Sequence, residues 1–461
     1  MRCVKRTPYT VKTRTRYARL CFSDDPNDRG NVLKAAVVNQ CECGKDGIRP
    51  LPEWAPVTNK NGAQYKCNIS NALEIGSRKV EDEYTDGYED VYYALSRTGI
   101  FYMYIEEMNA FQTVVTGRKR MVVCPLMKDG TAQFALFTTH GFVLVNADTT
   151  YNVIIEKDTV AAGAYFRHRV FVGMKNGILK YSAPEDFTNF TESVEEGGSI
   201  RLPDGGGEII AIKVFDDALY VFFQSGIIRL KVGGDPCEFY AEKIPYSGGD
   251  IFARTVCVCD QAIYFLTVNG VYRLQGKQVE RLELGITFPL KEGSMEGCAV
   301  WRGMPMMRYY DTDNKYKTII IRPDGTAFFI PDLIGLSSGD NGKVLFADSQ
   351  RNIYHLVDDG QGSVWFTGNV ETLKNNLGYV GRKCLRKLCF YGEGSCTVTL
   401  KTEGKSFTKT FTFENGFAEW FLHALGEYYT FSFTIERGSK IREVYAEFEV
   451  LTRYKEVKND D

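Results

Sequence analysis

The stretch VFVGMKNGILKYSAPEDFTNF, residues 170–190, contains the pattern that decides the fold. Two short apolar runs, 170–172 and 178–179, flank a polar link that ends at Gly177. Glycine takes positive φ values at little cost, which tight turns between antiparallel strands require. Pro184 follows the second run and is incompatible with a continuing central strand. The stretch therefore predicts a β-hairpin with a defined exit.

The same pattern returns along the chain at a nearly regular interval. Apolar runs flank a turn at Gly99, Gly141, Gly177, Gly226, Gly270, Gly325 and Asn352. The first five of these turns are 36 to 49 residues apart, which matches the period of four-stranded propeller blades. Residues 33–362 are therefore predicted to form an irregular β-propeller of about six blades. A double-sheet sandwich built from the same hairpins is the alternative.

The sequence changes character after residue 362. Apolar and polar residues alternate in CTVTLKT (396–402), YTFSFTIERG (429–438) and VYAEFEV (444–450). Alternation with a period of two indicates strands with one buried and one solvated face. Several such strands in succession are typical of a sandwich. The sequence thus predicts an all-β chain in which a C-terminal antiparallel β-sandwich, residues 363–455, follows the propeller and precedes a tail at 456–461.

Composition limits the classes of function. The 461 residues are 44% hydrophobic and 25% charged, so we expect a globular rather than a disordered chain. A formal net charge of −2 gives no bulk tendency to bind polyanions. No apolar run is long enough for a transmembrane helix, and the basic start lacks the apolar core of a secretory signal. We therefore expect the thirteen cysteines to be reduced thiols.

The sequence offers few residues for catalysis or metal binding. None of the four histidines lies in H-E-x-x-H, and neither a G-x-S-x-G motif nor a P-loop occurs. One residue separates Cys41 from Cys43 and Cys257 from Cys259, whereas structural zinc pairs prefer two to four intervening residues. The sequence predicts no enzyme activity, no metal site and no cofactor.

Two segments resemble a known group of viral proteins. GILKYSAPEDFTNF (177–190) is similar to the SAP-x-D-x-x-NF exit of phage propeller proteins. RKCLRKLCFYGEGSCTVTL (382–400) resembles the start of their terminal sandwich, with Lys387 and Gly392-Glu393-Gly394 in place. With the overall layout, these segments resemble the tail-hub or packaged-DNA stabilisation proteins of short-tailed bacteriophages, a group that includes the tail nozzle.

The resemblance implies a structural protein of the virion tail. It implies a homo-hexameric ring, assembled in the host cytoplasm, that lies below the portal and its adaptor. Such a ring forms part of the conduit for DNA ejection, without sequence-specific contacts, and helps retain packaged DNA. The sequence leaves one alternative open, a glycan- or receptor-binding β-propeller of sialidase-like ancestry, because SGDNGKVL (338–345) approximates an Asp-box.

Two charged segments are the candidate partner-binding sites. The basic N-terminal arm, residues 1–32, carries Arg2, Lys5, Arg6, Lys12, Arg14, Arg16 and Arg19. The acidic loop, residues 81–90, carries Glu81, Asp82, Glu83, Asp86, Glu89 and Asp90. A conduit that bound many phosphates would resist ejection, because each neutralised phosphate adds affinity. We therefore expect the arm to dock on an acidic surface of a neighbouring subunit, such as this loop; a mobile arm and a solvated loop are the alternatives.

Overall fold

The computed structural model describes residues 9–21, 35–39, 41–44, 47–50, 53–59, 61–69, 71–81, 88–118, 121–128, 131–156, 159–193, 196–282, 284, 295–310, 315–322, 327–330, 332–338, 342–357, 362 and 367–455. These residues form 39 strands and three 3₁₀ turns, Glu106–Met108, Pro236–Glu238 and Ala253–Thr255. The three turns are far too short to cross a bilayer, and no other helix occurs in this part of the chain.

Five strands precede the first blade. They are β1 (Tyr9–Cys21), β2 (Ala35–Asn39), β3 (Cys41–Gly44), β4 (Gly47–Pro50) and β5 (Glu53–Pro56). Only the last of them belongs to the propeller, because β5 pairs with a blade strand that lies about 300 residues further along the chain.

Six blades follow, each an antiparallel set of four strands that are consecutive in the chain. Blade 1 contains β6 (Ala72–Glu81), β7 (Tyr88–Ser96), β8 (Phe101–Ile105) and β9 (Ala110–Val115), and blade 2 contains β10 (Val122–Lys128), β11 (Thr131–Thr138), β12 (Gly141–Asn146) and β13 (Tyr151–Glu156). Blade 3 contains β14 (Val160–Phe166), β15 (Arg169–Met174), β16 (Ile178–Tyr181) and β17 (Gly198–Arg201), and blade 4 contains β18 (Ile209–Phe215), β19 (Ala218–Phe223), β20 (Gly226–Lys231) and β21 (Tyr240–Ile244). Blade 5 contains β22 (Cys257–Cys259), β23 (Ala262–Thr267), β24 (Gly270–Gln275) and β25 (Gln278–Arg281), and blade 6 contains β26 (Met295–Trp301), β27 (Met304–Tyr310), β28 (Tyr316–Ile321) and β29 (Ala327–Ile330).

A seventh blade closes the ring with a strand from the N-terminal region. It contains β30 (Ile334–Ser338), β31 (Val344–Ala347) and β32 (Ile353–Val357), and β5 pairs antiparallel with β32 as the fourth strand. The Trp54 ring of β5 stacks on Phe346 at 4.9 Å and lies 5.2 Å from the ring of Tyr354. Because β30 contacts β6, the last blade packs against the first and the propeller is closed.

The predicted fold class is confirmed, and the number of blades in the described residues is seven, where the spacing predicted about six. Each strand pair singled out in the sequence lies in a different blade, and the turn predicted at Gly325 lies outside the described residues. In blade 3, Gly177 has φ +80°, as predicted. In blade 4, Gly226 is needed for a different reason, since a Cβ there would lie 2.0 Å from the carbonyl oxygen of Gly205. In blade 7 the positive φ belongs to Arg351, at 68°, and not to Asn352.

Seven strands follow the propeller and form most of the sandwich. They are β33 (Gly368–Thr372), β34 (Lys383–Glu393), β35 (Ser395–Lys401), β36 (Ser406–Thr412), β37 (Phe417–Gly426), β38 (Thr430–Ile435) and β39 (Lys440–Lys455). One layer has the order β33-β38-β35-β36, and the facing layer has the order β39-β34-β37. Their alternating apolar residues meet in one core, which includes Leu388, Val398 and Phe433. The chain crosses between layers at the glycines 392 and 394, where the sequence showed its second resemblance.

The sandwich also takes strands from the N-terminal region. β1 pairs antiparallel with β39, and β4 brings β3 into the same layer. β2 pairs with β33 and, in parallel, with β29, so a single sheet of nine strands runs from blade 6 into the sandwich. The strands β2, β3 and β4 therefore belong to the sandwich layers, although the sequence assigned them to the propeller. β3 pairs with the adjacent β4, but the strands that β2 and β4 join lie about 300 residues or more away, so no local pattern indicates those pairings.

Candidate functional site

The predicted basic arm is in part a strand of the sandwich. Arg2, Lys5 and Arg6 lie outside the described residues. The other predicted cations lie in β1, where the register places Lys12, Arg14, Arg16 and Arg19 opposite Thr452, Val450, Phe448 and Tyr445. The segment of β39 at 443–449 contains three glutamates, which the register places opposite Cys21, Tyr17 and Thr15, so none of the four cations lies directly opposite a glutamate. Docking of the arm on a neighbouring subunit stays a prediction.

The predicted acidic loop lies at the β6–β7 hairpin of blade 1. Glu81 ends β6, Glu89 and Asp90 lie in β7, and Asp82, Glu83 and Asp86 are outside the described residues. The Asp90 carboxylate is partly buried and accepts a hydrogen bond from the Tyr92 hydroxyl at 3.4 Å. Within one chain, β1 and this hairpin belong to different sheets, so the structure does not bring the two charged segments into one sheet.

The exit segment that follows the blade 3 hairpin is a hydrogen-bonded loop. The hydroxyl of the buried Ser182 accepts a hydrogen bond from the Val170 N–H at 3.0 Å. The Asp186 carboxylate accepts hydrogen bonds from the Thr188 N–H at 3.1 Å and from its hydroxyl at 2.7 Å. Phe187 is buried in the cluster between blades 2 and 3. These residues, which carry the first resemblance, therefore hold a turn and fill the gap between two blades.

A cavity lies at the centre of the propeller. All seven first strands, from β6 to β30, contribute lining residues to a volume of about 610 Å³. The lining is mixed, only slightly more apolar than polar, and its charged and thiol groups include Glu74, Lys213, Arg254, Cys257 and Cys298. A second cavity of about 490 Å³ shares Arg254 with the first. Volumes of this size are typical of sites for small molecules.

Arg254 crosses the centre of the ring. It lies in the 3₁₀ turn before blade 5, and its partners are at the starts of blades 1 and 2, which lie opposite blade 5 in a ring of seven. Its guanidinium donates to the Met121 carbonyl oxygen at 2.6 Å and lies 3.7 Å from the Glu74 carboxylate. Glu74 also accepts from the Tyr93 hydroxyl at 3.0 Å, and burial together with that carboxylate raises the pKa of Tyr93. These contacts connect three blades across the centre of the propeller.

Two thiols lie side by side where blades 5 and 6 meet the cavity. The Cys257 Sγ donates to the Ala299 carbonyl oxygen at 3.5 Å, and the Cys298 Sγ donates to the Val256 carbonyl oxygen at 3.5 Å. Interaction with the neighbouring Cys257 thiol, assisted by the charge of Lys213, lowers the pKa of Cys298. The same interaction, together with burial, raises the pKa of Cys257.

Sequence reasoning missed this thiol pair. It compared Cys257 with Cys259, its neighbour on the same strand, because a C-x-C spacing is visible in the sequence. The partner in the structure is Cys298, which lies on the first strand of the next blade, 41 residues further along. Only the blade period could have indicated it, because equivalent positions of successive first strands lie about one repeat apart. In the part of the chain that the structure describes, no cluster of three or more potential metal ligands occurs.

A cysteine–histidine contact on the sandwich does not have the properties of a nucleophile. The Cys384 Sγ lies 3.5 Å from the His423 Nδ1. Burial raises the pKa of Cys384, so the thiol form is favoured over the reactive thiolate. The imidazole also contacts the Arg386 guanidinium, which in turn bonds to Glu449 at 2.8 Å. The arrangement is therefore a network of hydrogen bonds and an ion pair on one face of the sheet.

The outer surface of the sandwich carries most of the exposed apolar side chains. Eleven large hydrophobic residues are exposed among the described residues, and seven lie in the sandwich region: Leu373, Tyr379, Val380, Tyr391, Phe421, Leu425 and Tyr428. The other four are single residues of blades 1, 2, 4 and 5: Met108, Tyr151, Tyr240 and Val268. Phe421 and Leu425 lie in β37, the last strand of its layer, which leaves one edge without a sheet partner in the described structure.

A buried lysine holds part of this surface together. The Lys383 Nζ donates to the carbonyl oxygens of Tyr379 and Gly381 at 2.7 Å and to that of Glu427 at 2.8 Å. Burial lowers the pKa of Lys383, and the three carbonyl groups replace its water shell. The loop at 379–381 is thereby fixed beside residues 427–428. We call Tyr379, Val380, Phe421, Leu425 and Tyr428 the sandwich patch.

Comparisons with known proteins do not identify a family. No protein-family model matches the sequence, and no curated protein matches it. The extracellular domain of a one-component system from B. thetaiotaomicron is 15% identical with a TM-score of 0.43, over 67% of this chain and 40% of that chain. PorZ, a surface component of the type-IX secretion system of Porphyromonas gingivalis, is 10% identical with a TM-score of 0.39, over 77% of this chain and 45% of that chain. The WD40 β-propeller domain of Doa1 is 11% identical with a TM-score of 0.33, over 53% of this chain and 96% of that chain. This chain thus spans less than half the length of the first two, and scores at this level do not indicate shared function.

Proposed function

We propose that this chain is a structural, non-enzymatic subunit of a short-tailed bacteriophage tail. It assembles as a ring below the portal and adaptor, forms part of the DNA conduit and helps retain packaged DNA. The observation that carries the proposal is the sandwich patch, because the sandwich carries most of the exposed large apolar side chains of the described residues, and exposed apolar surface is typical of interaction sites. The two resemblances in the sequence supply the viral context.

The closed propeller supports a role as a rigid wall. Arg254 contacts Met121 and Glu74 across the centre of the propeller, which supports a path for DNA through the lumen between subunits and not through a propeller. The central strands of the blades are buried on both faces, which leaves the propeller little apolar surface for partners. Assembly contacts therefore fall mainly on the sandwich.

The partner of the sandwich patch in this proposal is a second copy of the chain. β37 ends its layer, so its outer backbone groups are available to a strand or loop of a neighbour. The formal net charge of −2 on 461 residues produces little repulsion between copies. Phe421 is 69% exposed and Val380 is 85% exposed, so both gain burial in such a contact.

The oligomeric state of purified full-length protein tests the proposal. Mass photometry over a concentration series is expected to show a discrete species near six times the subunit mass of 52.1 kDa. The double variant Phe421→Lys with Tyr428→Lys is expected to remain monomeric and folded. The matched control, Met108→Lys with Tyr240→Lys, changes exposed apolar residues of the propeller and is expected to assemble like the wild type.

Two results would overturn the assembly proposal. One is a wild-type chain that stays monomeric at every concentration, alone and with portal and adaptor. The other is an equal effect of the sandwich and propeller variants. The viral context has its own test, because portal, adaptor and terminase genes are expected next to the gene for this chain.

A groove in blades 4 and 5 favours the glycan-binding alternative. Its volume is about 640 Å³, and Tyr246 and Tyr272 are in its lining with ring centroids 5.9 Å apart. Aromatic rings offer apolar faces to sugar rings. Glycan binding by a monomeric wild-type chain that is lost in Tyr272→Ala would support this second function in place of the first.

A further inference from the structure

The thiols of Cys257 and Cys298 have a reciprocal geometry. Each sulfur lies 3.5 Å from the carbonyl oxygen of the residue that adjoins the other cysteine, Ala299 in one case and Val256 in the other. This arrangement places both sulfurs in one small space between β22 and β26. A disulfide requires Cα atoms roughly 4.4–6.8 Å apart, so the proposal requires β22 and β26, which are in contact, to come that close at these two positions.

The central cavity gives a small oxidant access to the pair. Both cysteines line it, and its volume of about 610 Å³ falls in the range of roughly 300–1,000 Å³ for small-molecule sites. Lys213 lines the same cavity, and its positive charge favours the thiolate, which is the form that attacks a disulfide.

We propose that Cys257 and Cys298 form a thiol pair that low-molecular-weight disulfides oxidise to a disulfide bond between blades 5 and 6. The thiolate of one cysteine attacks a sulfur of the small disulfide, which forms a mixed disulfide and releases one small thiolate. The other cysteine loses its proton and attacks the protein sulfur of the mixed disulfide, which releases the second small thiolate. The two cysteines lose two electrons in total, and the small disulfide is reduced to two thiols.

This bond adds a property beyond the proposed structural role. It connects two blades that noncovalent contacts otherwise hold together, and it closes a loop between positions 257 and 298. Such a link restricts the unfolded chain, so the oxidised protein is expected to unfold at a higher urea concentration than the reduced protein.

Oxidation of the full chain with oxidised glutathione tests the proposal. Trypsin cleaves after Arg254, Arg273, Lys291 and Arg302, so the pair falls in the peptides 255–273 and 292–302. Mass spectrometry after acid quenching and alkylation is expected to show these two peptides joined, with two hydrogens fewer than their sum. The joined species is expected to be absent in Cys257→Ala and in Cys298→Ala.

Cys259→Ala is the matched control, because Cys259 shares the tryptic peptide and the strand with Cys257. This variant is expected to retain the joined peptides. The exposed Cys237 is expected to acquire glutathione in every variant and so reports that the oxidant is active. Modified Cys237 with a reduced pair would overturn the proposal. Mixed disulfides that persist on Cys298, or joined peptides that disappear in Cys259→Ala, would overturn it as well.

Discussion

The propeller and the sandwich differ in how they cover the faces of their sheets. In blades 3, 4 and 5, the strands β15, β19 and β23 are buried at every position, because a neighbouring blade covers each face. In the sandwich, β38 alternates between buried and partly exposed residues, because only one face meets the other layer. A closed ring of blades thus buries most of the apolar surface of its own sheets. A two-layer sandwich keeps an outer face on which contacts to other molecules can evolve.

Replacing a phenylalanine by alanine in each of the two regions is expected to give the largest difference in the free energy of unfolding. Phe171→Ala removes a fully buried ring from the centre of blade 3 and is expected to lower the free energy of unfolding by about 3–5 kcal/mol. Phe421→Ala removes an exposed ring of the sandwich patch and is expected to change it by less than about 0.5 kcal/mol. Urea denaturation followed by circular dichroism measures both values. Similar losses for the two variants would contradict the comparison.

Weakening the closure of the ring of blades is expected to have the next largest effect on the free energy of unfolding. Trp54→Ala removes the stacking of β5 on Phe346 and Tyr354, and we expect a loss of about 2–3 kcal/mol. The exposed Tyr240 of blade 4 provides the control, because Tyr240→Ala removes an aromatic ring without opening the ring of blades. Limited proteolysis of the Trp54 variant is expected to cut first near blades 7 and 1. Equal protease resistance in the two variants would show that β5 is dispensable for closure.

The contact of Arg254 across the centre of the propeller is expected to contribute less to stability. Arg254→Met keeps much of the side-chain volume but removes the hydrogen bond to Met121 and the charge beside Glu74. We expect a loss of about 2 kcal/mol, because a hydrogen bond to a charged group is lost and a partly buried carboxylate loses its cation. Arg201→Met, at an exposed arginine of blade 3, is the control in the same urea titration. An unchanged midpoint for Arg254→Met would mean that the contact does not stabilise the ring.

The smallest effect concerns an ion pair between the turns of blades 3 and 4. The Arg167 guanidinium bonds to the Asp217 carboxylate at 2.5 Å and lowers its pKa. A lowered pKa in the folded state stabilises the protein above the ordinary range for aspartate, about 4, and the stabilisation is lost as the pH falls through the folded value. Asp217→Asn is therefore expected to melt slightly below the wild type at pH 7, and the gap should shrink towards pH 3. A gap that is constant with pH would rule out the ion pair as its cause.

The distance along the chain between partners decides what the sequence could predict. The hairpin at Gly177 joins runs separated by a few residues, so its turn and apolar pattern appear together in one short stretch. The strand β5 and its partner β32 are about 300 residues apart, and neither contains a signal for the other. Three other contacts also join residues that are far apart in the chain and carry no local signal for each other. They are the pair Cys257 and Cys298, the contact of Arg254 with Glu74 and the pairing of β1 with β39. Local rules therefore predicted the blades, whereas the closure of the ring and the candidate site depend on contacts that exist only after the blades assemble.

The late pairing of β5 has a consequence for how a cell makes this protein. A ribosome adds roughly 5–20 residues per second, so the strand at 53–56 waits about 15–60 s before its partner at 353–357 is synthesised. During that interval the nascent chain exposes the face of blade 1 that blade 7 later covers, and a free β-strand that can pair with the wrong chain. Polysomes that carry several nascent copies bring such surfaces and strands close together. Slower translation is therefore expected to increase the demand for chaperones before the ring of blades is closed.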